Sequence, residues 1–210
     1  LWLLANEASD QGLVSLVNPS STKITAVSSP TFTVDRGYTG NGTTSYLNTK
    51  FQPSTDGVNY LLNSASAGFY NRISGSSATS VELGGESDAN HCLLLESRYT
   101  DNKAYMLINS TTTGQLSGTN NPDAGMLCAI RTASNARAIW HNGISIASDS
   151  GASNALPPLV MYLLAFNNVG TAVDFSTKQM AACFFGSGTI NQLKLYNAIQ
   201  SYMTAIGANV

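Results

Sequence analysis

The dipeptide Asn142-Gly143, set between alternating apolar residues in the stretch Met126 to Asp149 (MLCAIRTASNARAIWHNGISIASD), constrains the fold more than any other feature. Asn-Gly suits a two-residue turn whose positive φ angles match the twist of paired strands, so the stretch reads as a hairpin. With that turn, His141 faces Ile144, Trp140 faces Ser145, Ile139 faces Ile146 and Ala138 faces Ala147, and successive pairs point to opposite faces. One row then holds Ile139, Ile144 and Ile146 with His141, and it reads as core. The other holds Ala138, Ser145 and Ala147 with Trp140, an aromatic ring among small neighbours.

The same rhythm runs through most of the chain. Lys23 to Val27, Thr31 to Val34, Tyr46 to Phe51, Val58 to Leu62, Gly68 to Ile73, Ser80 to Leu83, Cys92 to Tyr99, Ala104 to Ile108, Leu159 to Phe166 and Met180 to Phe185 are strand-like. Gly, Ser, Asn, Asp and Pro clusters separate them. Strands at this spacing without helical periodicity indicate an all-β sandwich or jelly roll, and such folds hold a chain of 210 residues in one domain. The opening lacks an initiator Met, so residues 1–15 read as a lead-in from a longer chain and residues 16–210 as the sandwich. Near the end the period changes. Thr189-Ile190-Asn191-Gln192 has the form of a capping box, and Leu193, Tyr196, Ile199, Met203 and Ile206 follow at three- and four-residue steps. A helix over about 189–206 is expected, with Gly207 as its left-handed stop.

Composition narrows the function. Charged residues make up 10% of the chain, against about 25% in typical soluble domains. The formal net charge is −2 and Lys and Arg form no cluster, so binding to a phosphate backbone has no electrostatic basis. No apolar run approaches the roughly 18 residues that argue for a membrane helix, and membrane insertion is not expected. Cys92, Cys128 and Cys183 each lie in an apolar run without zinc-site spacing, which reads as buried free thiols.

Three segments carry a family likeness: an early DRGYTGNGTTSYL, the central MLCAIR…AIWHNGISIAS hairpin, and a late AACFFGSGTINQLKLYNAIQSYMTAIG. Together, over most of residues 30 to 207, they resemble the concanavalin A-like, laminin G-type jelly rolls of bacteriophage virion proteins. The resemblance implies a sandwich of two antiparallel sheets closed by one C-terminal helix, displayed on a virion surface as part of a tail appendage or capsid. It further implies other virion subunits as partners and a homo-oligomer, a trimer by analogy with phage fibres. No catalytic or binding residue is carried over with it.

Catalytic constellations are sparse. Retaining glycosidases need two carboxylates about 5 Å apart, and the laminarinase-like branch of this architecture carries an E-x-D-x-E strand that is missing here. The glutamates are Glu7, Glu82, Glu86 and Glu96. Gly84-Gly85 reads as a turn or bulge separating Glu82 from Glu86, and Glu96 reads as paired with Arg98 on one strand face. The two histidines, His91 and His141, accompany no G-x-S-x-G elbow. No cofactor is expected. Calcium is the one metal the laminin G-type resemblance suggests, and Asp88, Asn90, Asp101 and Asp123 form no calcium-loop motif to hold it.

What remains is recognition by rings and amides, which suits the apolar faces and hydroxyls of sugars. Trp140 is the first candidate platform if it faces away from the Ile row, with His141 and Asn142 beside it; burial against a neighbouring strand or subunit is the competing reading. Tyr99 with Asp101 and Asn102, and Tyr70 with Asn71, are lesser candidates. The sequence therefore reads as a non-enzymatic adhesion module for host surface glycans. A structural decoration protein binding only virion subunits is the alternative, and a glycoside hydrolase the third reading.

Overall fold

Asn142 and Gly143 take φ angles of +50° and +78° in the computed structural model, which describes residues 1–20 and 23–210. This is the left-handed two-residue turn that the dipeptide favours. Numbering strands in chain order, it joins β12 (Ala136–His141) to β13 (Ile144–Asp149). His141 pairs with Ile144 and Trp140 with Ser145, as expected. A bulge at Ile146 then shifts the register, so Ile139 meets Ala147 and Ala138 meets Ser148 rather than Ile146 and Ala147. Bulges collect on edge strands, and β13 is an edge whose Ile146 carbonyl lies against Gly118 of the opposite sheet. The Ile row is thereby split. Ile139 is fully buried and Ile146 is half-buried on the core, but Ile144 beside the turn is 66% exposed and not a core residue.

Two sheets result. The first runs β13, β12, β11 (Gly125–Ala133), β6 (Ala65–Asn71), β17 (Gln179–Gly186), β4 (Gly37–Thr39) and β3 (Thr31–Thr33), with β1 (Trp2–Leu3) also paired to β17. The second runs β10 (Leu116–Thr119), β9 (Lys103–Ser110), β8 (Cys92–Glu96), β7 (Leu83–Glu86), β14 (Tyr162–Leu163), β5 (Tyr46–Asn48) and β2 (Thr25–Val27). A hairpin of β15 (Phe166–Asn168) and β16 (Thr171–Val173) joins its middle through a short parallel pairing with β7. All other ladders are antiparallel, and the chain folds as a concanavalin A-like jelly-roll sandwich. Phe69, Leu127, Ala129 and Ile139 of the first sheet meet Leu47, Leu83, Leu93, Leu95, Met106 and Ile108 of the second in one core.

The outer face of the first sheet is apolar as well. Tyr70, Met126, Cys128, Ile130, Ala182 and Phe184 lie under Ile199 and Met203 of the C-terminal helix, Gln192–Ala205. Strands β6 and β11 are therefore buried on both faces along most of their length, which is why they read as near-continuous apolar or small runs. The helix stops as its sequence indicates: Gly207 has φ +66°, its N–H reaches the Thr204 carbonyl, and the Ala208 N–H reaches that of Met203. Its start differs from expectation. Asn191, not Thr189, is the N-cap, accepting the Lys194 N–H at 2.9 Å, while Gln192 lies inside the first turn. The Thr189 N–H instead donates to the Ser187 hydroxyl, and Leu193 stands 52% exposed instead of joining the buried face.

Other differences follow from tertiary context. Val58 to Leu62 is no strand; it carries a single bridge between Leu61 and Ser64, and Val58 is 87% exposed. Gly84-Gly85 forms no turn or bulge but the middle of β7, where the absence of side chains lets Phe166 and Asn167 pack across it. Strand β10 lies in a polar stretch without clear strand alternation, and β16 is a three-residue strand outside the strand-like runs of the sequence. The first fifteen residues are woven into the sandwich, with β1 on β17 and Leu4 fully buried. The β pattern read from Leu16 passes through residues 21 and 22, which lie outside the described residues.

Candidate functional site

On the outer face of the first sheet, Ala136, Ala138 and Trp140 alternate along β12 beside Ile130 and Thr132 of β11. They floor a cleft of about 700 Å³ whose far wall is residues 188–193, the connection into the C-terminal helix. Two close approaches set that wall. Gly188 lies so near the Arg131 carbonyl that a Cβ on it would sit 1.9 Å from the oxygen. A Cβ on Gly143 would sit 2.9 Å from Leu193 Cδ1, so the first helical turn abuts the hairpin turn. The first contact requires glycine, and at Gly143 the φ of +78° favours it; the two bring residues 188–193 against the strands that floor the cleft.

Trp140 resolves the question posed by its row of small neighbours. It is half-buried, packing on the Met126, Cys128 and Ile130 cluster beneath the helix and also lining the cleft. Its two sequence companions serve the turn. His141 Nε2 lies 2.9 Å from the Ala124 carbonyl, and burial holds this imidazole below its usual pKa against the pull of that carbonyl. Asn142 Oδ1 accepts the Met126 N–H at 2.8 Å. Neither is among the residues lining the cleft.

Tyr99 and Asp101 stand elsewhere, in the loop between β8 and β9 of the second sheet. Tyr99 packs edge-on against Tyr105 at 5.9 Å and is 37% exposed. The Tyr105 hydroxyl donates to Asp101 at 2.7 Å and holds that carboxyl below its usual range. Tyr70 and Asn71 are fully buried, Tyr70 under the helix with its hydroxyl on Gln200 Oε1, and so present no surface to a ligand.

The residues that complete the cleft were not visible as a group in the sequence. Arg137 and Asp149 form a two-point ion pair at 2.7 and 2.9 Å, and Arg137 Nη2 also donates to the Gly114 carbonyl. This partner holds the Asp149 carboxyl below its usual pKa. Arg131, fully buried, spends its guanidinium on the carbonyls of Ile108, Ala133, Ser134, Gly151 and Ala152, tying the loop after β13 to the strand that floors the cleft. Burial lowers its pKa to about 10. The sequence signal was faint but present: in a chain so poor in charge, two arginines six apart flanking a turn mark a place where charge has a task.

The remaining acids lie away from the cleft. Glu82 is 1% exposed, its carboxylate accepting the Ser97 N–H at 2.6 Å and the Ser176 hydroxyl at 2.8 Å. Glu96 does not pair with Arg98, which turns to Asn121 and Asp123. Burial, followed by the charges of Glu82, Asp101 and Asp174, pushes Glu96 up to about 8. Asp123 is buried between Lys178 and Ser74. Among the described residues no group of three or more His, Cys, Asp or Glu side chains converges to hold a metal. Cys92, Cys128 and Cys183 are free and buried, and burial raises all three thiols.

No protein-family model and no curated protein matches the chain by sequence. Solved structures do match in shape. Domain 4 of AbnA, a GH43 extracellular arabinanase from Geobacillus stearothermophilus in complex with arabinotriose, is similar at a TM-score of 0.55 and 13% identity, over 86% of this chain and 84% of that one. The HCR/D F1240A mutant is similar at 0.55 and 10% identity, over 94% of this chain and 51% of that one. The K499G mutant of NanB sialidase from Streptococcus pneumoniae is similar at 0.51 and 12% identity, over 82% of this chain but only 27% of the sialidase. The chain thus spans about half of the second structure and a quarter of the third. At such identities these likenesses establish the fold alone, a jelly-roll sandwich.

Proposed function

We propose that this sandwich is a glycan-binding module whose site is the cleft beside Trp140. The observation that carries the reading is the half-buried indole: it packs on the cluster beneath the helix and lines a concave space bordered also by Thr132, Ser148 and Asn191. A ring held in place stacks on the C–H face of a sugar with little loss of side-chain freedom, and flanking hydroxyls and amides meet the sugar's own. Domain 4 of AbnA, solved with arabinotriose, supports the reading by shape. In this proposal the module binds without transforming its ligand, since the one carboxylate lining the cleft, Asp149, is held by Arg137. Adhesion to host surface glycans from a virion surface, on a tail appendage or capsid and within a homo-oligomer, belongs to the same proposal and stands on the sequence likeness alone. The reading of a single domain belongs to the proposal too, with residues 1–15 packed into it through β1.

The test is a bacterial polysaccharide array probed with the intact chain and with Trp140→Ala. Binding that the substitution removes, with thermal unfolding still cooperative, is the expected result; an array without signal defeats the reading. A structural role is favoured by one specific observation, the exposed apolar side chains Ile144 and Leu193 near the Asn142-Gly143 turn. It predicts that Ile144→Ser shifts the oligomeric state in sedimentation velocity and leaves any sugar binding unchanged.

A further inference from the structure

Two charged side chains line the cleft, and each satisfies the other. Arg137 gives Nε and Nη2 to the two oxygens of Asp149, Nη2 also reaches the Gly114 carbonyl, and Asp149 Oδ1 takes the Gly151 N–H. A two-point pair of this kind is among the stronger hydrogen-bonded contacts a protein makes. The Asp149 carboxylate offsets the Arg137 guanidinium, so the pair brings no net charge to the cleft. An acidic sugar entering here would lose hydration from its carboxylate and meet a cation already neutralised.

Gln192 adds a direction. It lines the cleft at 4% exposure, its Nε2 faces the Ile190 carbonyl at 3.4 Å, and its Oε1 has no hydrogen-bond partner. A buried amide oxygen left unpaired is costly, and a ligand that supplies a donor removes that cost. The terminal amide torsion of Gln has a broad minimum, so a small rotation on binding would present Oε1 to the cleft. Around it the lining is small and apolar, with Ile130, Ala136 and Ala138 next to the Trp140 ring.

We infer that the cleft selects an uncharged sugar bearing an acetamido group. The acetamido N–H donates to Gln192 Oε1, the methyl rests on the alanine and tryptophan patch, and the pyranose ring extends toward Ser148 at the rim. This inference rests on the reading of the cleft as a glycan site and goes beyond it by naming the sugar class.

The experiment is titration calorimetry of the intact chain with three probes: tri-N-acetylchitotriose, cellotriose, and trigalacturonic acid, each at 50 and 500 mM NaCl. The expected result is chitotriose binding at least tenfold tighter than cellotriose, less than a twofold change with salt, and no detectable trigalacturonate binding. Gln192→Leu should bring chitotriose down to the level of cellotriose and leave cellotriose within twofold. Ala138→Leu, which fills the small patch from the sheet side, should do the same if Gln192→Leu does not fold. Equal affinity for chitotriose and cellotriose, weakened together by Trp140→Phe, overturns the acetamido selection while preserving the glycan site. Salt-sensitive binding of trigalacturonate overturns the selection of uncharged sugars. Silence with all three probes overturns this inference, and the polysaccharide array then decides the glycan reading separately.

Discussion

Trp140 and Tyr99 have comparable local sequence settings on opposite sheets: each is an aromatic residue close to a turn, Trp140 near the end of β12 and Tyr99 in the loop after β8, with an amide or acid close in sequence. Their surroundings diverge. Tyr99 leans on Tyr105, and the acid beside it is already engaged by the Tyr105 hydroxyl, so the loop is a closed unit standing out from the sandwich. Trp140 faces residues 188–193, brought from about fifty positions away, and the two surfaces enclose a cleft. A local motif supplies a ring; concavity comes from a second element that the fold lays beside it.

The sharpest way to break this contrast is to move the second element. Gly188→Ala places a methyl against the Arg131 carbonyl, and over-packing of this kind costs about 2 to 3 kcal/mol of stability. Chemical denaturation should show that loss, and sugar binding should fall with it, whereas the Tyr99 loop keeps its near-ultraviolet dichroism. Next in size is the pair of ring truncations. Trp140→Ala should weaken glycan binding by tenfold or more, about 1.4 kcal/mol, and Tyr99→Ala should leave it within twofold by the same titration. Equal effects would erase the distinction between the two sites.

Smaller effects sharpen the comparison. Asn191→Ala removes the helix N-cap and should cost about 1 kcal/mol, read as a lower thermal midpoint. The two regions should also respond oppositely to pH. Glu96, near the Tyr99 loop, carries a folded pKa of about 8 against a reference of 4.5. Between those values the folded chain holds a proton that the unfolded chain has released, so stability falls as pH rises through this window. Glu96→Gln should flatten that decline. His141, on the Trp140 side, is held below its reference of 6.5, so its contribution is present at neutral pH and is lost as pH falls. Measuring the unfolding midpoint from pH 5 to 8 in the wild type and in Glu96→Gln and His141→Gln checks both signs.

Legibility followed the range of the forces involved. The Asn142-Gly143 turn and the Gly207 stop are backbone requirements for positive φ, met by the residues on the spot, and both were readable. The alternation of Ala138 and Trp140 likewise placed the indole away from the core. Ile144 was misjudged because alternation gives a face but not the depth of cover, and the cover ends at the turn. The bulge at Ile146 was invisible because no local residue marks it, and the Gly118 backbone that lies against the Ile146 carbonyl comes from the other sheet. Thr189 looked like a cap by spacing alone, yet Asn191 is the residue whose backbone leaves the strand connection at the right angle.

The sequence by itself determined an all-β sandwich with one closing helix, a turn at Asn142-Gly143 and a tryptophan on the outward row, because period, turn chemistry and composition act within a few residues. Tertiary structure decided the cleft, the cancellation of Arg137 by Asp149, the seating of Gln192 and the engagement of His141 and Asn142 by the neighbouring strand. Those outcomes depend on which distant segments share a surface, and a hydrogen bond or an ion pair is specified only when both partners have been brought within about 3 Å.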